Sequence, residues 1–203
     1  MIGLHKDGGF WTVTINRPDK ANSLTKAMLE QLADIAETAK DAKVLVITGT
    51  GRVFSAGADL NEARAGLATD PVWERLSGAV AAVPCLTIAA LNGTLAGGAF
   101  GMALACDLRI AVPTAKFFYP VMKLGFLPQP SDPVRMRALI GPARTKLILM
   151  AGQKITAQQA LDFGLLDRLV ESSEMPAMLK DLAQDVLSAK PDVLRGIKEM
   201  CSG

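Results

Sequence analysis

The run LNGTLAGGAFGMALACD (Leu91–Asp107), taken together with RVFSAGADL (Arg52–Leu60), decides the fold. Each is an apolar strand that turns through small residues into the start of a helix, where backbone N–H groups are unpaired and point outward. Two such turns brought together predict an oxyanion hole with two backbone donors, a device that stabilises the negative charge of an enolate.

Outward from this run, no charged residue lies between Arg75 and Asp107, a stretch long enough to raise a membrane span. Pro84, Asn92, Gly93, Gly97, Gly98 and Gly101 break it, so it reads as a buried strand, a tight turn and a buried helix, with no membrane partner. The 203 residues, 50% hydrophobic and 21% charged, fit one folded unit with a sizeable core. A net charge of +2 is too small to argue for nucleic acid; it suits a phosphorylated ligand or plain surface solubility equally. Cys85, Cys106 and Cys201 are an odd number without a CxxC pair, and two have apolar surroundings, which predicts reduced thiols and a cytoplasmic location. With His5 the only histidine, no His/Cys metal site and no Ser-His-Asp triad is expected. The N-terminal segment carries early charges and lacks a signal-peptide core.

Along the chain, FWTVTI (Phe10–Ile15) alternates as a strand, and Asn16 to Asp19 make a turn. Ser23 or Thr25 caps a helix over Lys26–Lys40 with Met28, Leu29, Leu32 and Ile35 on one face. Strands follow at Val44–Thr48 and Val53–Ser55, then a helical pattern over Leu60–Leu76 interrupted at Gly66 and Asp70-Pro71. The next strand is Leu86–Leu91, the next helix Gly97–Ala105, and two short strands cover Leu108–Ala111 and Lys116–Phe118. Pro128, Pro130 and Pro133 punctuate a loop before helices at Val134–Ile140 and Ala143–Ala151, divided by Gly141-Pro142. A helix from Thr156 stops at Gly164, and the last spans Met175–Ala189. Repeated strand-strand-helix order predicts an α/β core over residues 1–141, with 142–203 as a C-terminal helical region of the same unit.

Several of these stretches resemble the enoyl-CoA hydratase/isomerase (crotonase) superfamily: NRPDKANSL (Asn16–Leu24), FSAGADL (Phe54–Leu60), NGTLAGG (Asn92–Gly98), Cys106-Asp107, Ala115 to Phe117, Lys123 to Gly125 and AQQALDFGLLDRLV (Ala157–Val170). The likeness covers nearly the whole chain in the superfamily's order. It implies a spiral of ββα turns followed by a shortened C-terminal helical region, because relatives usually continue beyond the point where this chain stops. It also implies acyl-CoA thioester substrates, coenzyme A as part of the substrate with no prosthetic group, and homotrimers or dimers of trimers. The oxyanion donors would be the N–H groups of Ala58 and Gly98, although small residues such as Gly98 also serve close packing. Lys20, Ala21, Leu24, Ala56 and Gly57 would line the CoA channel. Arg17 and Lys20 either meet CoA phosphates or stay solvated. Asp59 is expected to begin a helix, and Trp11 and Trp73 to pack in the core or at the surface.

The chain departs from the hydratase pattern where it matters most. The two glutamates that position and deprotonate water fall at Gly101 and Val121, neither of which can move a proton. The alternative single carboxylate falls at Gln129, an amide that can hold but not deprotonate. The nearest acid is Asp132, read either as a base that swings into the pocket or as the cap of the helix opening at Pro133-Val134. Glu62 is a further candidate. Gln129 and Asp132, with Ala58 and Gly98, are therefore the expected catalytic set. An enolate step such as isomerisation or decarboxylation is expected over hydration, with a catalytically silent acyl-CoA binder or regulatory subunit as the alternative. A dinucleotide fold is excluded, since neither Gly49-Thr-Gly51 nor Gly97-Gly98 gives G-x-G-x-x-G.

Overall fold

The computed structural model describes residues 1–202. The chain opens with an antiparallel hairpin of β1 (Ile2–Asp7) and β2 (Phe10–Ile15), in which Ile2 faces Ile15 and Asp7 faces Phe10. A short 3-10 turn at Pro18–Lys20 leads to α1 (Lys26–Thr38), whose first turn is capped by the Thr25 hydroxyl accepting from the Met28 N–H at 3.3 Å. Three strand-strand-helix units follow. They comprise β3 (Val44–Gly49), β4 (Val53–Ser55), α2 (Leu60–Arg64) and α3 (Val72–Ala82); β5 (Leu86–Leu91), β6 (Thr94–Ala96) and α4 (Phe100–Ala105); then β7 (Leu108–Ala111), β8 (Lys116–Phe118), α5 (Val121–Leu124) and α6 (Ser131–Leu149). The chain continues through β9 (Ile155–Thr156), α7 (Ala157–Phe163), β10 (Arg168–Leu169), α8 (Met175–Ser188) and α9 (Pro191–Ser202).

Each unit sends its first strand to one sheet and its second to another. The larger sheet runs β1-β2-β3-β5-β7-β10 and the smaller β4-β6-β8-β9. All pairs are parallel except β1 with β2 and β8 with β9. This is the expected α/β spiral of ββα units. Parallel strands covered on both faces must be apolar throughout, which is why Val44 to Ile47 and Thr87 to Leu91 are buried without alternation. The apolar Arg75–Asp107 stretch resolves into α3, β5, β6 and α4, and α4 is buried at all six positions. Among the described residues, no helix is long and apolar enough to cross a membrane.

Several elements differ from the sequence expectation. Residues 2–7 form a strand because β2 offers them an edge, and the two-residue strands β9 and β10 exist only as partners of β8 and β7. Such short pieces carry no periodicity of their own. Helix α6 begins at Ser131 rather than Val134, and non-helical backbone at Gly141 (φ 76°, ψ 167°) divides it where Gly141-Pro142 predicts a break. The helical tail does not stop at Ala189: Pro191 opens α9.

Two asparagines pin the loops between the sheets. Fully buried Asn22 donates to the carbonyls of Thr50 (2.9 Å) and Val53 (2.6 Å), while its Oδ1 accepts from the Arg17 N–H at 2.8 Å. Asn92 approaches the same loop from β5, accepting from the Gly49 N–H (2.9 Å) and donating to the Gly51 carbonyl (2.8 Å). Further on, buried Arg109 donates to the carbonyls of Cys106 (2.6 Å) and Leu165 (2.9 Å), fastening β7 to the segment before β10. Asn22→Ala removes the side-chain donor to the Thr50 carbonyl, one of the two side-chain donors to the Val53 carbonyl and the acceptor of the Arg17 N–H. It should lower stability by about 3 kcal/mol, read as a lower urea midpoint at unchanged slope.

Candidate active site

Strands β4 and β6 are parallel neighbours, with Val53 opposite Thr94 and Ser55 registered on Leu95, so the turns at their C-terminal ends lie side by side. The contact between those turns is backbone on backbone. A Cβ on Gly57 would stand 2.9 Å from the Ala96 carbonyl oxygen, 3.3 Å from Gly97 Cα and 3.4 Å from the Gly98 nitrogen. Gly57 (φ 89°) and Gly97 (φ 58°) both occupy the left-handed region, so glycine meets the conformational and the steric demand together.

This contact sets the two expected donors beside one cavity. Gly98 lies in the 3-10 turn Gly97–Ala99, where N–H groups have no acceptor within the turn. Ala58 sits just before Asp59, the N-cap of α2. Leu24 holds both flanks of Ala58, its N–H donating to the Gly57 carbonyl and its carbonyl accepting from the Asp59 N–H, each at 2.8 Å. In that parallel bridge the N–H of Ala58 points away from Leu24. The cavity, about 220 Å³, is walled by Ala56, Ala58, Gly98, Trp73, Tyr119 and Gln129, and bordered by the apolar Val121, Leu124, Phe126 and Leu127.

Trp73 packs in the core, as expected, and does so against the Gly-Gly turn. A Cβ on Gly98 would meet its ring at 3.2 Å, and its indole N–H donates to the Leu67 carbonyl at 2.8 Å, so it forms a fixed cavity wall against the Gly-Gly turn. Neither Trp73 nor Tyr119 announces itself in sequence, because each becomes a wall only when α3 and the residues before α5 close over β6. Gln129 lines the cavity and donates to the Ala68 carbonyl at 3.2 Å, which fixes its amide. Val121 lines the cavity with its aliphatic side chain.

The expected CoA-channel residues cluster beside these turns. The Ala56 N–H donates to the Ala21 carbonyl at 3.0 Å, Leu24 is fully buried, Gly57 is the crossing point, and Lys20 is exposed. Arg17 is partly exposed but paired: its guanidinium donates to Asp59 Oδ2 at 2.8 Å and to the Ser23 carbonyl at 3.2 Å. That pairing holds the Asp59 carboxyl below its ordinary range, while Asp59 Oδ1 caps α2 by accepting from Asn61 at 3.0 Å. Glu62 accepts from the Lys26 N–H at 2.7 Å, at the start of α1.

Asp132 is corrected in one respect: it does not cap α6. The helix begins at Ser131, and Glu74 of α3 accepts from the Ser131 N–H at 3.0 Å and from its hydroxyl at 2.9 Å. Asp132 thereby falls in the first turn of the helix, fully buried behind the cavity wall, where its Oδ2 accepts from the Tyr119 hydroxyl at 2.8 Å. Burial, reinforced by the charge of Glu74, outweighs the Tyr119 bond and Arg135 and pushes the Asp132 carboxyl up to about 7. The thiols of Cys85 and Cys106 are likewise pushed up by burial, to about 12 each, and are inert. A larger hollow of about 600 Å³ between α5 and α6 shares Val121, Phe126 and Leu127 with the cavity but carries no donor turn.

The sequence profile of the family described as Enoyl-CoA hydratase/isomerase matches residues 5–202. The probable enoyl-CoA hydratase echA6 of Mycobacterium leprae is 35% identical over 176 residues, covering 83% of this chain and 71% of the relative. The structure of an enoyl-CoA hydratase/carnithine racemase from Magnetospirillum magneticum superposes with a TM-score of 0.91 at 29% identity, covering 99% of this chain and 79% of that one. A Thermobifida fusca protein, described as an enoyl-CoA hydratase and solved in complex with CoA, superposes with a TM-score of 0.90 at 28% identity, over 98% and 83% of the two chains.

Because its carboxyl is raised from 3.8 to about 7, Asp132 holds a proton more tightly folded than unfolded. Its stabilising contribution is complete below the ordinary carboxylate range and is lost as pH rises through the folded value. Urea titrations of the native protein should therefore lose stability between about pH 4 and about pH 8 by on the order of a few kcal/mol relative to Asp132→Asn, which lacks the ionisation.

Proposed function

The chain belongs to the enoyl-CoA hydratase/isomerase family, and on that premise we propose that it binds an acyl-CoA and stabilises the thioester enolate through the N–H groups of Ala58 and Gly98. The observation that supports this is the Gly57–Gly97 contact, which brings Ala58 and Gly98 to one small, mostly apolar cavity. Backbone donors have no rotamer to lose, so they meet developing charge without reorganisation. Coenzyme A enters as part of the substrate, with Lys20, Ala21, Leu24, Ala56 and Gly57 along its path and Gln129 as a positioning amide.

The chemistry is an isomerisation or decarboxylation in preference to hydration. Gly101 and Val121 hold the positions of the hydratase glutamates and cannot activate water. In a decarboxylation the breaking C–C bond supplies the electron pair, so an oxyanion hole with one proton source suffices. Residues 1–141 carry the site and 142–203 complete the same unit. Assembly as a homotrimer or dimer of trimers is supported by the exposed Met122, Leu124, Leu127 and Val134, an apolar patch that an equivalent copy would cover. The buried thiols support a reducing, cytoplasmic setting. A second reading, a catalytically silent acyl-CoA binder, is favoured by one observation: among the described residues, no carboxylate lines the cavity.

The test measures binding and chemistry separately. Butyryl-CoA and crotonyl-CoA should bind by calorimetry, and deuterium should enter the α- or γ-carbon in D₂O while crotonyl-CoA gains no water. Ala58→Pro removes one donor and should slow exchange about 10²–10³-fold, with circular dichroism confirming the fold. Rapid formation of a 3-hydroxyacyl product would restore standard hydration; binding without exchange would leave the silent binder.

A further inference from the structure

The space beside Gly101 is not vacant. A Cβ on this α4 residue would stand 2.9 Å from Asp132 Oδ1 and 3.5 Å from Ser77 Cβ, so a carboxyl from α6 fills the volume that a side chain at 101 would take. Asp132 is fully buried, and its Oδ1 has no hydrogen-bond partner. An ionised carboxylate with an orphan oxygen is costly in such a place, whereas a carboxylic acid is tolerable. The other oxygen meets Tyr119, whose ring stacks on Phe100 with centroids 5.4 Å apart and planes 14° from parallel. Tyr119 also lines the cavity shared by Ala58 and Gly98. It is thus the side chain that touches both the cavity and the buried acid.

We propose that Tyr119 carries the proton to and from the substrate carbon, and that Asp132, delivered from α6 into the space beside Gly101, is the positioning group that holds the proton behind it. This rests on the enolate function proposed above. In the protonating direction the enolate electron pair forms a C–H bond with the Tyr119 proton, and the oxyanion collapses to the thioester carbonyl. The phenolic oxygen takes the proton of the Asp132 acid, and the Asp132 carboxylate recovers one from water. In the abstracting direction Asp132 carboxylate accepts the Tyr119 proton while the phenolic oxygen takes the proton from carbon, leaving the pair on carbon as the enolate. Burial raises the Tyr119 hydroxyl's own pKa, so a lasting phenolate is disfavoured and both protons move together. The ionisable groups facing Asp132 are Tyr119 from the segment before α5, Glu74 from α3 and Arg135 from its own helix.

The experiment compares the native protein with Tyr119→Phe and Asp132→Asn, measuring butyryl-CoA affinity and α-deuterium uptake in D₂O across pH. Native uptake should rise through neutrality as Asp132 ionises. Tyr119→Phe should bind with unchanged affinity and lose uptake by about 10²–10⁴-fold. Asp132→Asn, which keeps an acceptor for the Tyr119 hydroxyl, should be slow and lack the limb near neutrality, a change that loss of packing alone would not produce. Uptake undiminished in Tyr119→Phe overturns the proton carrier and leaves the enolate function standing. A native protein that binds thioester without uptake overturns it in favour of the silent binder, and one that binds no thioester overturns both.

Discussion

Everything at the site depends on a crossing of two backbones at Gly57 and Gly97. Side chains normally keep adjacent turns apart; here neither turn has a Cβ at the crossing, and both residues hold positive φ. The strands that feed them are only three residues each, too short to fix the geometry alone. Asn22 and Asn92 supply the rest by hydrogen-bonding the loop before β4 from two separate segments of the chain. Leu24 then holds the residues on either side of Ala58, so the donor turn is tied at both flanks. Rigidity of this kind is what the proposed oxyanion hole requires, because donors must already point where charge will appear.

A second regularity concerns the carboxylates around the cavity. Asp59 caps α2 and holds Arg17; Glu62 accepts from the first N–H of α1; Asp70 accepts from the Val72 N–H at the start of α3; Glu74 takes the first N–H of α6. Each satisfies a helix N-terminus whose first N–H groups have no partner within the helix. Asp132 has no such duty. With its cap function taken by Glu74, it is free to lie against Gly101, where burial rather than pairing sets its protonation. The same α3 that provides Glu74 also provides Trp73 and Ser77, so one helix caps α6, walls the cavity and borders the Asp132 niche.

The C-terminal elements are bound to the spiral by cations placed on carbonyl groups. Lys43, at the start of β3, donates to the Leu187 and Ala189 carbonyls at the end of α8, at 2.6 and 2.7 Å. Lys198 of α9 donates to the Cys85 carbonyl and to Asp107, each at 2.8 Å. Together with Arg109, these contacts join residues beyond 150 to the N-terminal ends of β3, β5 and β7 in the larger sheet. Most of these carbonyls lie at or just beyond the C-terminal ends of helices, where a cation meets the negative end of the helix dipole.

The sequence by itself determined the ββα order, the buried character of Leu91–Asp107, the two small-residue turns after β4 and β6 and the lack of carboxylates at 101 and 121. These follow from local rules: continuous apolar runs, small residues at turns and the chemistry of each side chain. Thr25 as a cap and the division of α6 at Gly141-Pro142 were legible for the same reason. Only the tertiary structure decided that Trp73 and Tyr119 wall the cavity and that Arg17 serves Asp59. It likewise decided that Asp132 faces Gly101 instead of capping its own helix. Each of these joins residues from separate elements, 42 positions apart for Arg17 with Asp59 and 57 for Glu74 with Ser131. No local periodicity encodes such pairs, because they come into being only when the helices close over the strands and every buried polar group must find a partner.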